Sequence, residues 1–215
     1  AELGSAVAKI NHDLRNSLAS AQLVSDVLAR SEDPRVQKAA PRLERALERA
    51  ISLATDTLDY GKATPQAARI ERVSLHSILE EAAGEALATH PGADWHNTVP
   101  VDAKVNADPD HLHRILSNLI RNAAEAMSAQ SDGAARITAA LSEHGLDLTD
   151  TGPGLPESAR DNLFKPFVGS ARRNGTGLGL VIARELAQGM GGDLVLASTG
   201  PDGTMFRLTL PGLGR

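Results

Sequence analysis

Hydrophobic residues recur at helical spacing through the first 62 residues of the chain. At about 100° per residue, one face of the first predicted helix carries an apolar stripe made of Val7, Ile10, Leu14, Leu18, Ala21 and Leu28. After a break at residues 31–34, the second helix repeats the pattern with Val36, Ala39, Leu43, Ala46, Leu47, Ala50, Ala54, Thr57 and Leu58. Because one hairpin cannot bury both stripes, we expect it to pair with a second copy as a homodimeric four-helix bundle.

A linker follows, and beyond it the pattern changes. Residues 61–66 contain glycine and proline without periodicity, and we assign 63–69 as the linker between domains at 1–62 and 70–215. In the second domain, β-like runs at 70–75, 95–105, 136–141, 193–197 and 204–210 alternate with helical stretches at 76–88, 109–130 and 178–188. This order predicts an α+β sandwich with three helices on one face of a mixed sheet.

The composition is that of a soluble globular protein with an aliphatic core. Hydrophobic residues make up 41% and charged residues 23%, while aromatic residues are only 2%. The net charge of −5 argues against a general nucleic-acid binder, which needs a basic face. The absence of cysteine fits a reducing compartment, and no apolar run is long enough to cross a bilayer. We therefore expect a cytoplasmic location without membrane contact in this fragment; any membrane-sensing segment would lie outside it.

Two glycine-rich segments point to a nucleotide pocket. The first, Asp150-Thr-Gly152-Pro-Gly154, would let the backbone approach a ring closely, although it could also be a polar turn after a strand. In the second, Gly175, Gly177 and Gly179 precede a helix, whose N-terminal N–H groups suit phosphate.

Two asparagines lie upstream of these segments, one helical turn apart. Asn118 and Asn122 could be polar edges of an amphipathic helix, but an amide oxygen is also a ligand that Mg²⁺ accepts. On the same helix, we expect Arg121 and Glu125 to point elsewhere.

The order of these segments resembles the ATP-binding fold shared by sensor histidine kinases, gyrase, heat-shock chaperone ATPases and mismatch-repair ATPases, known as the Bergerat fold. The resemblance implies that Asp150 recognises adenine, that Asn122 holds Mg²⁺ and that Asn118 lines the phosphate site. Further implied ATP contacts are Gly152, Gly154, Lys165 of the Phe164-Lys-Pro-Phe167 segment, Arg172, Arg173, Gly175, Thr176, Gly177, Leu178 and Gly179.

The pentad His12-Asp13-Leu-Arg-Asn16 places three polar side chains on the solvent face of the first predicted helix, opposite the apolar stripe. A lone surface histidine is usually only solvated. A neutral imidazole nevertheless has one nucleophilic nitrogen, and Asp13 could hold the other nitrogen's proton.

The pentad resembles the phosphoacceptor box of bacterial two-component histidine kinases, although Ser17 follows where the family commonly has proline. The resemblance implies that His12 is phosphorylated, that Asp13 assists and that Asn16 orients water during dephosphorylation of a partner.

These features together predict an ATP- and Mg²⁺-dependent protein-histidine kinase. It would phosphorylate His12, pass the phosphoryl group to a response-regulator receiver aspartate and also act as a phosphatase on that regulator. Two alternatives stay open at this stage. One is a non-catalytic docking module, and the other is a conformational ATPase of the gyrase or chaperone kind.

Overall fold

The computed structural model describes residues 67–128, 135–166 and 177–213 continuously, and part of the segment 20–50. The chain divides into two compact units. Residues 1–64 and 172–178 form the first unit, and residues 65–171 and 179–215 form the second.

The described part of the first unit is helical on both sides of a turn. Helical residues lie between 20 and 28 and between 35 and 50. The turn is closed by hydrogen bonds from the backbone N–H of Ser31 to the Leu28 carbonyl and from the Arg35 N–H to Asp33 Oδ1, at 3.0 and 2.8 Å. The predicted break between two helices is therefore confirmed.

Large apolar side chains of this unit remain exposed. In the first helix they extend beyond the predicted stripe, because exposed side chains include Leu23, Val24 and Val27 as well as Leu28. In the second helix Leu43 is also exposed, whereas Ala40 is buried. The apolar surface is therefore wider than the sequence pattern indicates.

The second unit contains two sheets and four helices among its described residues. In chain order the elements are β1 (Glu71–Ser74), α1 (Leu75–Leu87), β2 (Asp94–Asn97), β3 (Lys104–Ala107), α2 (Pro109–Met127), β4 (Arg136–Ser142), β5 (Gly145–Asp150), α3 (Glu157–Arg160), α4 (Gly179–Gly189), β6 (Asp193–Gly200) and β7 (Gly203–Thr209). The main sheet has the order β2-β4-β5-β7-β6, in which β2 and β4 are parallel and the other neighbours antiparallel. Strands β1 and β3 form a separate antiparallel pair. The predicted α+β class with a mixed sheet is confirmed.

The core of this unit is aliphatic, as the composition predicts. Helix α2 packs between α1 and α4, and all three contact the main sheet. Fully buried side chains include Leu75, Leu79, Leu112, Ile115, Leu116, Ile120, Ile137, Leu146, Leu194 and Leu208. Within the described residues, no helix combines the length and apolarity needed to cross a bilayer.

Two predicted details of the second unit are wrong. The run at 95–105 is not one strand but parts of β2 and β3, which belong to different sheets. A turn closed by the Ala103 N–H to the Pro100 carbonyl separates them. Strand β5, which was not predicted, is buried in the centre of the main sheet. Its Asp147 is accommodated there because Arg207 of β7 neutralises it.

Candidate functional site

Helix α2 presents the two asparagines at the centre of the second unit. Its N-cap is Asp108, whose Oδ1 accepts the His111 N–H at 3.0 Å, and Pro109 occupies the first turn. The side chain of Asn118 is buried, and that of Asn122 one turn later is half-buried. The cap therefore fixes where the helix begins.

Asn118 contacts the start of α4. Its Nδ2 donates to the carbonyl oxygen of Gly179 at 3.3 Å, and its Oδ1 accepts a hydrogen bond from Nη2 of Arg121. The expectation that Arg121 points elsewhere is therefore wrong. Residues three apart on a helix lie side by side, and this spacing could have revealed the contact.

Asp150 is the last residue of β5, and its side chain is buried. Its Oδ1 accepts the backbone N–H of Gly152 at 2.8 Å and that of Thr204 at 3.3 Å. Thr204 lies directly opposite Asp150 on the neighbouring strand β7. The segment is thus a turn after a strand, and it also holds a carboxylate in a fixed orientation inside the protein.

The glycines after Asp150 are required by close contacts. Gly154 has φ +76, and a Cβ there would clash with the Gly200 carbonyl. A Cβ on Gly152 would lie 2.7 Å from Asp150 Oδ1 and 3.4 Å from Met127 Cγ of α2. A side chain at position 152 would therefore crowd the Asp150 carboxylate, and one at position 154 would push the turn away from Gly200.

The turn between β6 and β7 also supports this segment, which the sequence pattern did not indicate. Gly203 has φ +136, and a Cβ there would clash with the backbone carbonyl of Asp150. On β6, the hydroxyl oxygen of Thr199 accepts the Leu155 N–H at 2.8 Å. A glycine in a hairpin turn is common for local reasons, so its packing against Asp150 could not be read from the sequence.

The segment around Phe164 is tied to α4. The guanidinium of Arg184 lies 4.7 Å from the centroid of the Phe164 ring. The same guanidinium donates two hydrogen bonds to Asp193, at 2.8 and 3.0 Å. Its hydrogen bonds hold the pKa of Asp193 below the usual range. Lys165 is exposed and donates to Asn162 Oδ1 at 3.0 Å, so its assignment as a nucleotide contact stays a prediction.

Several predicted site residues lie outside the described part of the chain. These are His12, Asp13, Asn16, Arg172, Arg173, Gly175 and Thr176. Of the second glycine segment, Gly177 adopts φ +71, Leu178 is buried and Gly179 begins α4. The described end of this segment therefore leads directly into a helix N-terminus, as the sequence predicts.

The described residues offer no protein-only metal site. No group of three or more histidine, aspartate or glutamate side chains among them could hold a metal ion. Because Arg121 occupies Asn118 Oδ1, the amide oxygen of Asn122 is the better candidate ligand of the two. A Mg²⁺ ion at Asn122 would complete its shell with phosphate oxygens and water, which is the usual preference of this ion.

Two family models match the chain. Residues 2–66 match the His Kinase A (phospho-acceptor) domain, and residues 107–213 match the histidine kinase-, DNA gyrase B-, and HSP90-like ATPase. The chain belongs to the two-component histidine kinases. The phosphoacceptor match distinguishes it from gyrase and chaperone ATPases, to which the second match alone would also apply.

Curated relatives agree with this family, and a solved structure shares the fold. The chain is 27% identical to the adaptive-response sensory kinase SasA of Synechococcus sp. (strain JA-3-3Ab), over 95% of this chain and 58% of SasA. It is 29% identical to the sensor protein FixL of Bradyrhizobium diazoefficiens, over 97% of this chain and 43% of FixL. The chain therefore spans about half the length of these relatives. Full-length ShkA, at 24% identity, shares the fold over 96% of this chain and 45% of ShkA, with a TM-score of 0.68.

Proposed function

We propose that this chain is the catalytic core of an ATP-dependent protein-histidine kinase. It phosphorylates itself on His12 and passes the phosphoryl group to an aspartate of a response-regulator receiver domain. The observation that carries the proposal is that one chain matches both the phosphoacceptor domain model and the ATPase domain model. We assign residues 1–62 to phosphotransfer and dimerisation, 63–69 to the linker and 70–215 to ATP binding.

Asp150 recognises the adenine base in this proposal. Its carboxylate is buried and oriented by two backbone N–H groups, so it accepts from the exocyclic amine of adenine. Guanine presents a carbonyl at the corresponding position, which a carboxylate repels. Gly152, where a Cβ would lie 2.7 Å from Asp150 Oδ1, has no side-chain atoms to crowd this carboxylate, which supports the assignment.

The phosphates of ATP lie at the N-terminus of α4. The backbone N–H groups of a helix start and the preceding glycines suit anionic oxygens, and Asn118 connects α2 to this point through Gly179. Asn122 on the same helix holds Mg²⁺ by its amide oxygen. When bound, the ion would neutralise charge on the phosphates, while the protein contributes orientation.

His12 is the nucleophile. With Asp13 holding the proton on Nδ1, Nε2 attacks the γ-phosphorus in line, a P–N bond forms and the bond to the ADP oxygen breaks. A receiver aspartate then attacks the phosphohistidine, so that the phosphoryl group moves to its carboxylate. Asn16 orients the water that removes this phosphate from the regulator.

The chain acts as a homodimer in this proposal. The exposed Leu23, Val24, Val27 and Leu28 of the first helix and Leu43 of the second form an apolar surface that one hairpin does not cover. Pairing two hairpins into a four-helix bundle would remove this surface from water.

Incubation with γ-labelled ATP and Mg²⁺ tests the proposal against both alternatives. A histidine kinase yields a phosphoprotein that is labile in acid and stable in base. A conformational ATPase would release phosphate without labelling the chain, and a docking module would neither label the chain nor release phosphate. Either of these results would contradict the proposal.

A further inference from the structure

Arg121 lies on α2 between the two site asparagines, with an exposed side chain next to the buried Asn118. Its Nη2 donates to Asn118 Oδ1, and the amide of Asn118 donates through Nδ2 to the Gly179 carbonyl at 3.3 Å. Two hydrogen bonds in series therefore connect an exposed guanidinium to the first residue of α4.

These two bonds determine which way the Asn118 amide faces. A guanidinium only donates, so the atom facing Arg121 must be the amide oxygen; a carbonyl only accepts, so the atom facing Gly179 must be the amide nitrogen. A flipped amide would lose both bonds. Arg121 thus stabilises the one orientation in which Asn118 holds the start of α4.

Arg121 also brings a permanent positive charge to this part of the unit. Two hydrogen bonds and one amide group separate Arg121 Nη2 from the Gly179 carbonyl oxygen. The distance between these two atoms is therefore at most roughly 8 Å. This distance is close to the screening length at physiological ionic strength, so attraction to phosphate groups at the start of α4 is only partly screened. The attraction grows with each phosphate that a nucleotide carries.

We propose that Arg121 is a positioning residue of the nucleotide site, which orients Asn118 and favours nucleotides with more phosphate groups. The inference rests on the proposed placement of ATP between Asp150 and the start of α4. It adds a residue for which the sequence pattern gave no role.

Calorimetric titration of the 215-residue chain tests this inference with adenosine, Mg²⁺-ADP and a non-hydrolysable Mg²⁺-ATP analogue. We expect Arg121→Met to leave the affinity for adenosine unchanged and to lower the affinity for the ATP analogue on the order of tenfold. The loss of affinity for ADP should lie between these two. Arg121→Lys retains the charge and should recover most of the loss. Arg114→Met, two turns earlier on the same side of α2, is the matched control and should bind all three ligands like the parent.

The parent chain also supplies a second measurement, the salt dependence of its affinity. Its affinity for the ATP analogue should fall more steeply with salt than that of Arg121→Met. Equal weakening of all three ligands, no weakening, or a loss that lysine does not recover would overturn the inference. A parent chain that binds none of the three ligands would instead refute the proposed function.

Discussion

Asp150 and Thr204 face each other across β5 and β7, and the Thr204 backbone N–H donates to the Asp150 carboxylate at 3.3 Å. With the Gly152 N–H on the same oxygen, the sheet and the following turn both hold this side chain. The orientation of a buried carboxylate is thus set by backbone groups before any ligand is present. This preorganisation is what a base-recognition residue requires.

Asp150→Asn should weaken binding of adenine nucleotides by about 2 kcal/mol or more. The amide oxygen of asparagine can still accept the Gly152 and Thr204 N–H groups, so the fold should survive. Its NH₂ group, however, would face the purine amine, and both groups are hydrogen-bond donors. Calorimetry with an ATP analogue measures the effect, and an unchanged affinity in a folded variant would place the base elsewhere.

Gly154→Ala should destabilise the chain by about 1–3 kcal/mol, because alanine disfavours φ +76 and its Cβ would meet the Gly200 carbonyl. Gly84→Ala is the control. Gly84 lies inside α1, where a Cβ meets no atom within 4 Å, so this change should stabilise by about 0.5–1 kcal/mol. Urea unfolding should show that the free energy of unfolding changes in opposite directions in the two variants. Changes in the same direction would contradict the backbone argument.

Asp147 gives the chain a pH-dependent contribution to stability. The hydrogen bonds from Arg207 outweigh partial burial and hold the pKa of Asp147 below its ordinary value of 3.8. A lowered folded-state pKa stabilises the fold above about pH 4, and this contribution is lost as the pH falls through the folded value. Unfolding measured from pH 6 downward should therefore show a weaker pH dependence for Asp147→Asn than for the parent.

Asp94 offers a comparison for the same measurement. Hydrogen bonds from His96 and Arg136 lower its pKa as well, but its side chain is 45% exposed, against 12% for Asp147. Because solvent screens its interactions, Asp94→Asn should change the pH dependence of stability less than Asp147→Asn does. A larger effect at Asp94 than at Asp147 would contradict this account of the buried pair.

The sequence predicted the elements whose signals are local. The N-cap and proline at Asp108-Pro109 and the apolar stripe of α2 depend only on neighbouring residues, and the structure has both. Strand β5 was missed because it is short and contains Asp147 at a buried position. That position is compatible with a central strand only because Arg207, sixty residues away, neutralises the carboxylate. The contact of Gly203 with Asp150 is equally non-local.

Within the candidate site, the glycine segment after Asp150 was predictable because its residue types demand a special backbone. The orientation of Asn118 was not, since the contact with Arg121 is local but the other partner is a carbonyl from α4, distant in the sequence. The sequence thus indicates candidate residues for the site, but not how the described ones are held.

Asn16→Ala should separate the two reactions proposed for the phosphoacceptor domain. The side chain of Asn16 is neither nucleophilic nor charged, so its removal should leave the rate of autophosphorylation within a few-fold of the parent rate. It should slow dephosphorylation of the regulator. Both rates are measured with labelled ATP and a purified receiver domain. If the variant loses autophosphorylation completely, or if dephosphorylation is unaffected, Asn16 does not orient the attacking water.

The central claim is that His12 itself receives the γ-phosphoryl group of ATP. Mass spectrometry under neutral conditions, after incubation with ATP and Mg²⁺, should locate the phosphate on the His12 imidazole. His12→Gln should carry no phosphate while binding an ATP analogue as the parent does, because the nucleotide site lies in the other domain. Phosphate on another residue, or undiminished phosphorylation of His12→Gln, would contradict the account.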